Sequence, residues 1–144
     1  MPRKRTKEED AARKREEYAR RKNQIAHQRR TNRDSWSMSQ TLQLRLNHAR
    51  HSAKKSGVEC TLTIEQLMDV YADQGGKCAV SGRVLSPKGG DTDVISIDRI
   101  VAGGPYRMDN VQLVVKQINT FKGQMNNEEL LAYAQQIIKT LTSQ

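Results

Sequence analysis

The stretch Val94–Lys122, VISIDRIVAGGPYRMDNVQLVVKQINTFK, decides the fold. Two short runs rich in β-branched and apolar residues, Val94-Ile95-Ser96-Ile97 and Asn110 to Val115, predict strands. The 12 residues between them, Asp98 to Asp109, are broken by Gly103-Gly104-Pro105 and read as a loop. Lys116 to Lys122 then predicts a short helix. A strand, a loop, a strand and a helix within so few residues imply an α+β domain.

Working outward, Asn126 with Glu128 and Glu129 opens a last amphipathic helix ending near Leu141. Its Leu130, Leu131, Tyr133, Ala134, Ile137 and Ile138 are expected to form a packing face. On the N-terminal side, Lys77 to Val84 reads as a hairpin-like stretch turning at Ser81-Gly82, and Ser86 to Asp93 as a polar loop. Thr63-x-x-Gln66 is a capping box for a helix from Ile64 to Gln74, stopped by Gly75-Gly76. Leu42, Leu46, Ala49 and Ala53 mark the apolar stripe of a helix from Ser37 to Lys55, closed by Gly57. Thr31 to Ser39 reads as a linker, with Asp34 or Ser35 as the cap of that helix and Trp36 either stacking on a base or anchoring the linker. Lys7 to Arg30 is helix-prone without a continuous apolar stripe, and residues 1–6 are a basic run expected to be disordered. The organisation expected is 1–36 as a basic arm, 37–74 as a helical lead-in and 75–144 as the α+β domain.

Composition narrows the function. The 144 residues are 35% apolar and 4% aromatic, which allows only a small core. No window approaches the roughly 20 apolar residues of a membrane span, and no signal-peptide core follows Met1. Cys60 and Cys78 are too few for a disulfide scaffold and read as small buried residues, so an intracellular protein is expected. Residues 1–55 hold 17 Lys+Arg against 6 Asp+Glu, a net of +11, whereas residues 56–144 hold 8 against 10, a net of −2. A basic arm on a nearly neutral domain suits a polyanion, and duplex DNA above others. The cations expected to meet it are Arg13, Lys14, Arg20, Arg21, Lys22, Arg29 and Arg30 in the arm and Arg45, Arg50, Lys54 and Lys55 in the next helix. Lys122 either meets phosphate or caps its helix.

Chemistry concentrates at three oxygen-bearing side chains: Asp98 at a strand end, Asn110 at the start of the next strand and Asn119 on the helix. Hard cations such as Mg²⁺ take one or two such oxygens together with water and phosphate. In order, the segments Lys77-Cys78-Ala79-Val80-Ser81-Gly82, Ser96-Ile97-Asp98-Arg99-Ile100, Gly104-Pro105-Tyr106, Asn110-Val111-Gln112 and Ile118-Asn119-x-x-Lys122 resemble the HNH nucleases of the His-Me finger, or ββα-metal, superfamily. The resemblance spans roughly residues 75–131 and extends more weakly back to Leu42, where it is similar to the lead-in of phage-type members.

The resemblance implies a ββα-metal domain that hydrolyses phosphodiester bonds in double-stranded DNA with one Mg²⁺ or Mn²⁺. Asp98 and Asn119 would hold the metal, Asn110 would tie the loop, and the ββα unit would sit at the minor groove. Most members carry His where this chain has Arg99, a poor base but a good phosphate clamp. Three readings stand: Arg99 orients the attacking water with Tyr106; it binds phosphate while His48 or His51 is the base; or the site is inactive. The family's zinc-binding Cys-x-x-Cys pairs are replaced by Cys78-x-x-Ser81 and Val114-Val115, so no structural zinc is expected. Also implied are a phage or mobile-element enzyme acting in a bacterial cytoplasm, of nicking or homing type, with no obligate protein partner. The competing readings are a DNA-binding protein without catalysis and a nuclease directed at RNA.

Overall fold

The computed structural model describes residues 6–34, 37–88 and 93–144, with backbone alone at 29–34. The expectations for residues 1–5, Trp36 and the tip of the 86–93 loop lie outside the described residues. The chain divides into two compact units, Met1–Ser35 and Trp36–Gln144.

The first unit is one helix, α1 (Lys7–Asp34). A capping box opens it: the Thr6 N–H donates to Glu9 Oε2 at 2.8 Å and the Glu9 N–H to Thr6 Oγ1 at 3.2 Å. With no Gly or Pro between Lys7 and Asp34, nothing stops the helix at Arg30, and it takes up much of the expected linker. Every described side chain from Ala11 onward is exposed, Tyr18 and Ile25 included.

The second unit carries α2 (Met38–Ser56), α3 (Ile64–Asp73), β1 (Ile95–Arg99), a 3₁₀ turn (Met108–Asn110), β2 (Val111–Val115), α4 (Lys116–Lys122) and α5 (Asn127–Thr142). The cap of α2 is Ser37, not Asp34 or Ser35. Ser37-x-x-Gln40 forms the same reciprocal box that Thr63 and Gln66 form at α3, as expected for the latter. Gly57, at φ 68°, ends α2 in the left-handed conformation.

β1 and β2 pair antiparallel, with Asp98 opposite Gln112 and Arg99 opposite Val111. β2 is buried at all five positions, the polar Gln112 among its four apolar residues included. Leu42, Leu46, Ala49 and Ala53 of α2 join Leu62, Leu67, Leu85, Ile95, Leu113 and Val114 in one core. The expected lead-in 37–74 thus shares its core with the sheet. Gln74 completes β2 where no third strand does: its Nε2 donates to the Leu113 carbonyl at 2.8 Å and its Oε1 accepts from the Leu113 N–H at 2.9 Å. The hairpin-like turn appears as an antiparallel bridge between Lys77 and Val84. Cys78 is buried there, and its Sγ accepts from the N–H groups of Ser81 and Val115, both at 3.4 Å. Burial pushes the thiol pKa up, but hydrogen bonds from Ser81, Val115 and Val80 outweigh it and lower it. Cys60 is only half-buried.

The packing expectation for α5 holds for half of its residues. Leu130 is buried and Ala134 and Ile137 are half-buried, but Leu131 is 59%, Tyr133 49% and Ile138 61% exposed. The domain behind the sheet is too small to cover an apolar arc this wide. Among the described residues, no helix is long and apolar enough to cross a membrane.

Candidate functional site

Asp98, Arg99, Tyr106 and Asn119 line one cavity of about 100 Å³, together with Ile97 and Gln124. Three elements deliver them. The last two residues of β1 supply Asp98 and Arg99, the loop supplies Tyr106, and α4 supplies Asn119.

The loop is held rigidly. Asn110 Oδ1 accepts from the Val101 N–H at 2.9 Å, and its Nδ2 donates to the Pro105 carbonyl at 2.9 Å and the Val101 carbonyl at 3.4 Å. This is the tie expected of Asn110. The far side is pinned by the Tyr106 N–H to the Glu59 carbonyl at 2.8 Å and the Thr61 N–H to the Tyr106 carbonyl at 3.1 Å. A Cβ on Gly104 would lie 2.8 Å from Asn110 Nδ2 and 3.1 Å from the Val101 carbonyl. Since Asn110 is fixed by its bonds, Gly104→Ala is expected to destabilise the domain by about 1–3 kcal/mol, measured by denaturant unfolding.

Arg99 does not sit as a free base or a free clamp. Its guanidinium lies 4.7 Å over the Tyr106 ring, and Nη1 donates to the Gly104 carbonyl at 2.9 Å. The stack and the bond orient the fork, while its remaining N–H groups stay available.

Asp98 is 4% exposed and opposes Lys122, which is 1% exposed. Lys122 Nζ contacts Asp98 Oδ1 at 3.1 Å and Oδ2 at 2.9 Å and donates to the Arg99 carbonyl at 2.9 Å. Gln112 Nε2, across the strand pair, donates to Asp98 Oδ2 at 2.8 Å. The expectation that Lys122 meets DNA phosphate is therefore corrected: its ammonium is buried in an ion pair. Neither is its role to cap α4, because its bonds go to β1. Gln112 and Lys122 are the residues that sequence reasoning missed as partners of Asp98. The signal lay in the strand register for Gln112 and in the Asn119-x-x-Lys122 spacing, which places both on one side of α4.

The donor set can be tested against a divalent cation. A carboxylate offers about four acceptor positions. The contacts above take two on Oδ2 and one on Oδ1, leaving one on Oδ1. Asn119 Nδ2 donates to Ser96 Oγ at 2.8 Å and the Ile97 carbonyl at 3.4 Å, which leaves its amide oxygen as the ligating end. One carboxylate oxygen and one amide oxygen on a shared cavity fit Mg²⁺ or Mn²⁺, which keep most of their coordination for water and phosphate. The Lys122 charge weakens such binding.

A second cavity, of about 180 Å³, shares Ile97 and Tyr106 with the first and is also lined by Arg45, His48, Ser52 and Ser96. Arg50 Nη2 donates to the Leu62 carbonyl at 3.1 Å, while Lys54 and Lys55 are exposed in the last turn of α2. Arg13, Lys14, Arg20, Arg21 and Lys22 are exposed along α1, and the side chains of Arg29 and Arg30 lie outside the described residues. No family model, curated protein or solved structure matches the chain.

Proposed function

We propose that the chain is a metal-dependent endonuclease of the ββα-metal type that hydrolyses phosphodiester bonds in double-stranded DNA. The observation that carries this reading is the convergence of Asp98, Arg99, Tyr106 and Asn119 on one cavity behind a loop locked by Asn110. A bound Mg²⁺ or Mn²⁺, held by Asp98 and Asn119, supplies Lewis-acid stabilisation of charge at the scissile phosphate. The chain does the rest. Arg99, oriented on Tyr106, presents N–H donors to a phosphate oxygen or to the attacking water. The water oxygen forms a bond to phosphorus and releases a proton to solvent, the bond to the 3′ oxygen breaks and that oxygen leaves as a hydroxyl protonated from solvent, and Lys122 keeps the Asp98 carboxylate fixed throughout. The cations of α1 and α2 supply affinity through phosphate contacts that carry little sequence information.

The wild-type chain with Mg²⁺ or Mn²⁺ is expected to convert supercoiled plasmid to nicked or linear product. EDTA should stop the reaction, and Asn119→Ala should slow it at least about a hundredfold while keeping DNA affinity. Uncut plasmid under every metal condition, with DNA still bound, would leave the binding-protein reading in place. Preference for an RNA duplex in competition at fixed salt would move the substrate to RNA.

A further inference from the structure

We propose that α5 pairs antiparallel with α5 of a second copy of this chain. The starting point is the uncovered side of that helix. Leu131, Ile138 and Leu141 are 59%, 61% and 65% exposed, a concentration of large apolar groups that a monomer seldom leaves to water. Leu131 and Ile138 are seven residues apart, so they lie on one line along the helix.

The charges next to that line choose the occupant. Glu128 and Lys139 fall on the same flank, at opposite ends of the helix. The midpoint of Leu131 and Ile138 lies within a residue of the midpoint of Glu128 and Lys139, about 1.5 Å along the axis. A single two-fold axis through that point therefore sets Leu131 against Ile138 of the partner copy and Glu128 against its Lys139. In a parallel pair the two-fold would carry these charges to opposite sides of the seam, where they do not meet. The surface is self-complementary only in the antiparallel sense, as an isologous dimer requires.

The rest of the helix is compatible with this arrangement. Its N-terminal end is fixed to the domain by Leu130 and by a reciprocal amide pair, with Gln112 Nε2 to Asn127 Oδ1 at 3.0 Å and Asn127 Nδ2 to Gln112 Oε1 at 3.3 Å. On the other flank Tyr133 stacks with Phe121 at 6.0 Å between ring centroids. The Leu131–Ile138 line is thus presented by an anchored helix, with little ordering left to do on association. Two copies joined in this way bring two Asp98 sites into one assembly. The pairing does not depend on what those sites do.

Sedimentation velocity of the full chain, freed of nucleic acid, over a wide concentration range tests this. A reversible monomer–dimer equilibrium of the 16.4 kDa chain is expected. Leu131→Glu should raise the dimer dissociation constant at least about tenfold. Glu128→Lys and Lys139→Glu should each weaken it several-fold, and the double exchange should restore it, since the exchanged charges again meet across the two-fold. These exposed charge variants keep the test open even if Leu131→Glu impairs folding. A monomer at every concentration, or a dimer in which the double exchange is no better than either single one, overturns the proposal. Plasmid cleavage by a chain that remains monomeric would leave the nuclease reading standing without it.

Discussion

Asp98→Ala is expected to lower the unfolding free energy of the Trp36–Gln144 unit by about 3–5 kcal/mol, a fall in melting temperature on the order of 10–20 °C. The Lys122 side chain has no exposed surface, and its Nζ lies 2.9 Å from Asp98 Oδ2. Removing the carboxylate leaves an ammonium in a dry site with only the Arg99 carbonyl as partner. Lys122→Ala should cost a similar amount by stranding the carboxylate, although Gln112 softens that loss. Replacing both, as in Asp98→Leu with Lys122→Met, should cost far less than the sum of the single losses, because no charge is then left buried without its partner. Thermal melts of the wild type, Asp98→Leu, Lys122→Met and the double variant close the cycle. Additive losses would show that the two groups do not depend on each other.

This has a consequence for any activity measurement. Asp98→Ala, the obvious variant for a metal ligand, would lose activity by unfolding whether or not Asp98 binds metal. Asp98→Asn with Lys122→Gln keeps an amide hydrogen bond to Gln112 and leaves no buried charge, so lost cleavage in that protein, once its melt is shown to be intact, bears on chemistry.

The same ion pair shows what was legible in the chain. Strand positions, the α4 helix and the role of Thr63 follow from local signals: β-branched runs, a Gly-Gly-Pro break and a Thr-x-x-Gln box. Each needs only neighbours in sequence. The tie by Asn110 is expected through the family resemblance alone. Lys122 was misread because burial of its ammonium depends on where β1 passes α4, a contact between residues 24 apart. The α5 face is covered only in part for a related reason. Periodicity reports that a stripe is apolar, but not whether the domain is large enough to cover it. Ser37-x-x-Gln40 carries the complete capping box, whereas Asp34 and Ser35 have no Glu or Gln three residues on.

Arg99→Ala is expected to reduce the maximal cleavage rate by about 10²–10³ with a smaller change in DNA affinity. The guanidinium is the cation aimed into the cavity by a partner on either side, the Tyr106 ring and the Gly104 carbonyl. Its work is directional, so Arg99→Lys should recover little: an ammonium neither forks nor stacks in the same way. Tyr106 separates two ways of helping. Tyr106→Phe keeps the ring beneath the guanidinium and removes only the hydroxyl, whereas Tyr106→Leu removes the stack. If Tyr106 acts by orienting Arg99, the first variant stays near wild type and the second approaches Arg99→Ala. If the hydroxyl touches the attacking water, both lose rate. His48 supplies the remaining control, since it lines the neighbouring cavity beyond Tyr106. A reaction that uses His48 as its base would slow by orders of magnitude in His48→Gln. With Arg99 as the organising group, His48→Gln leaves the cleavage rate unchanged.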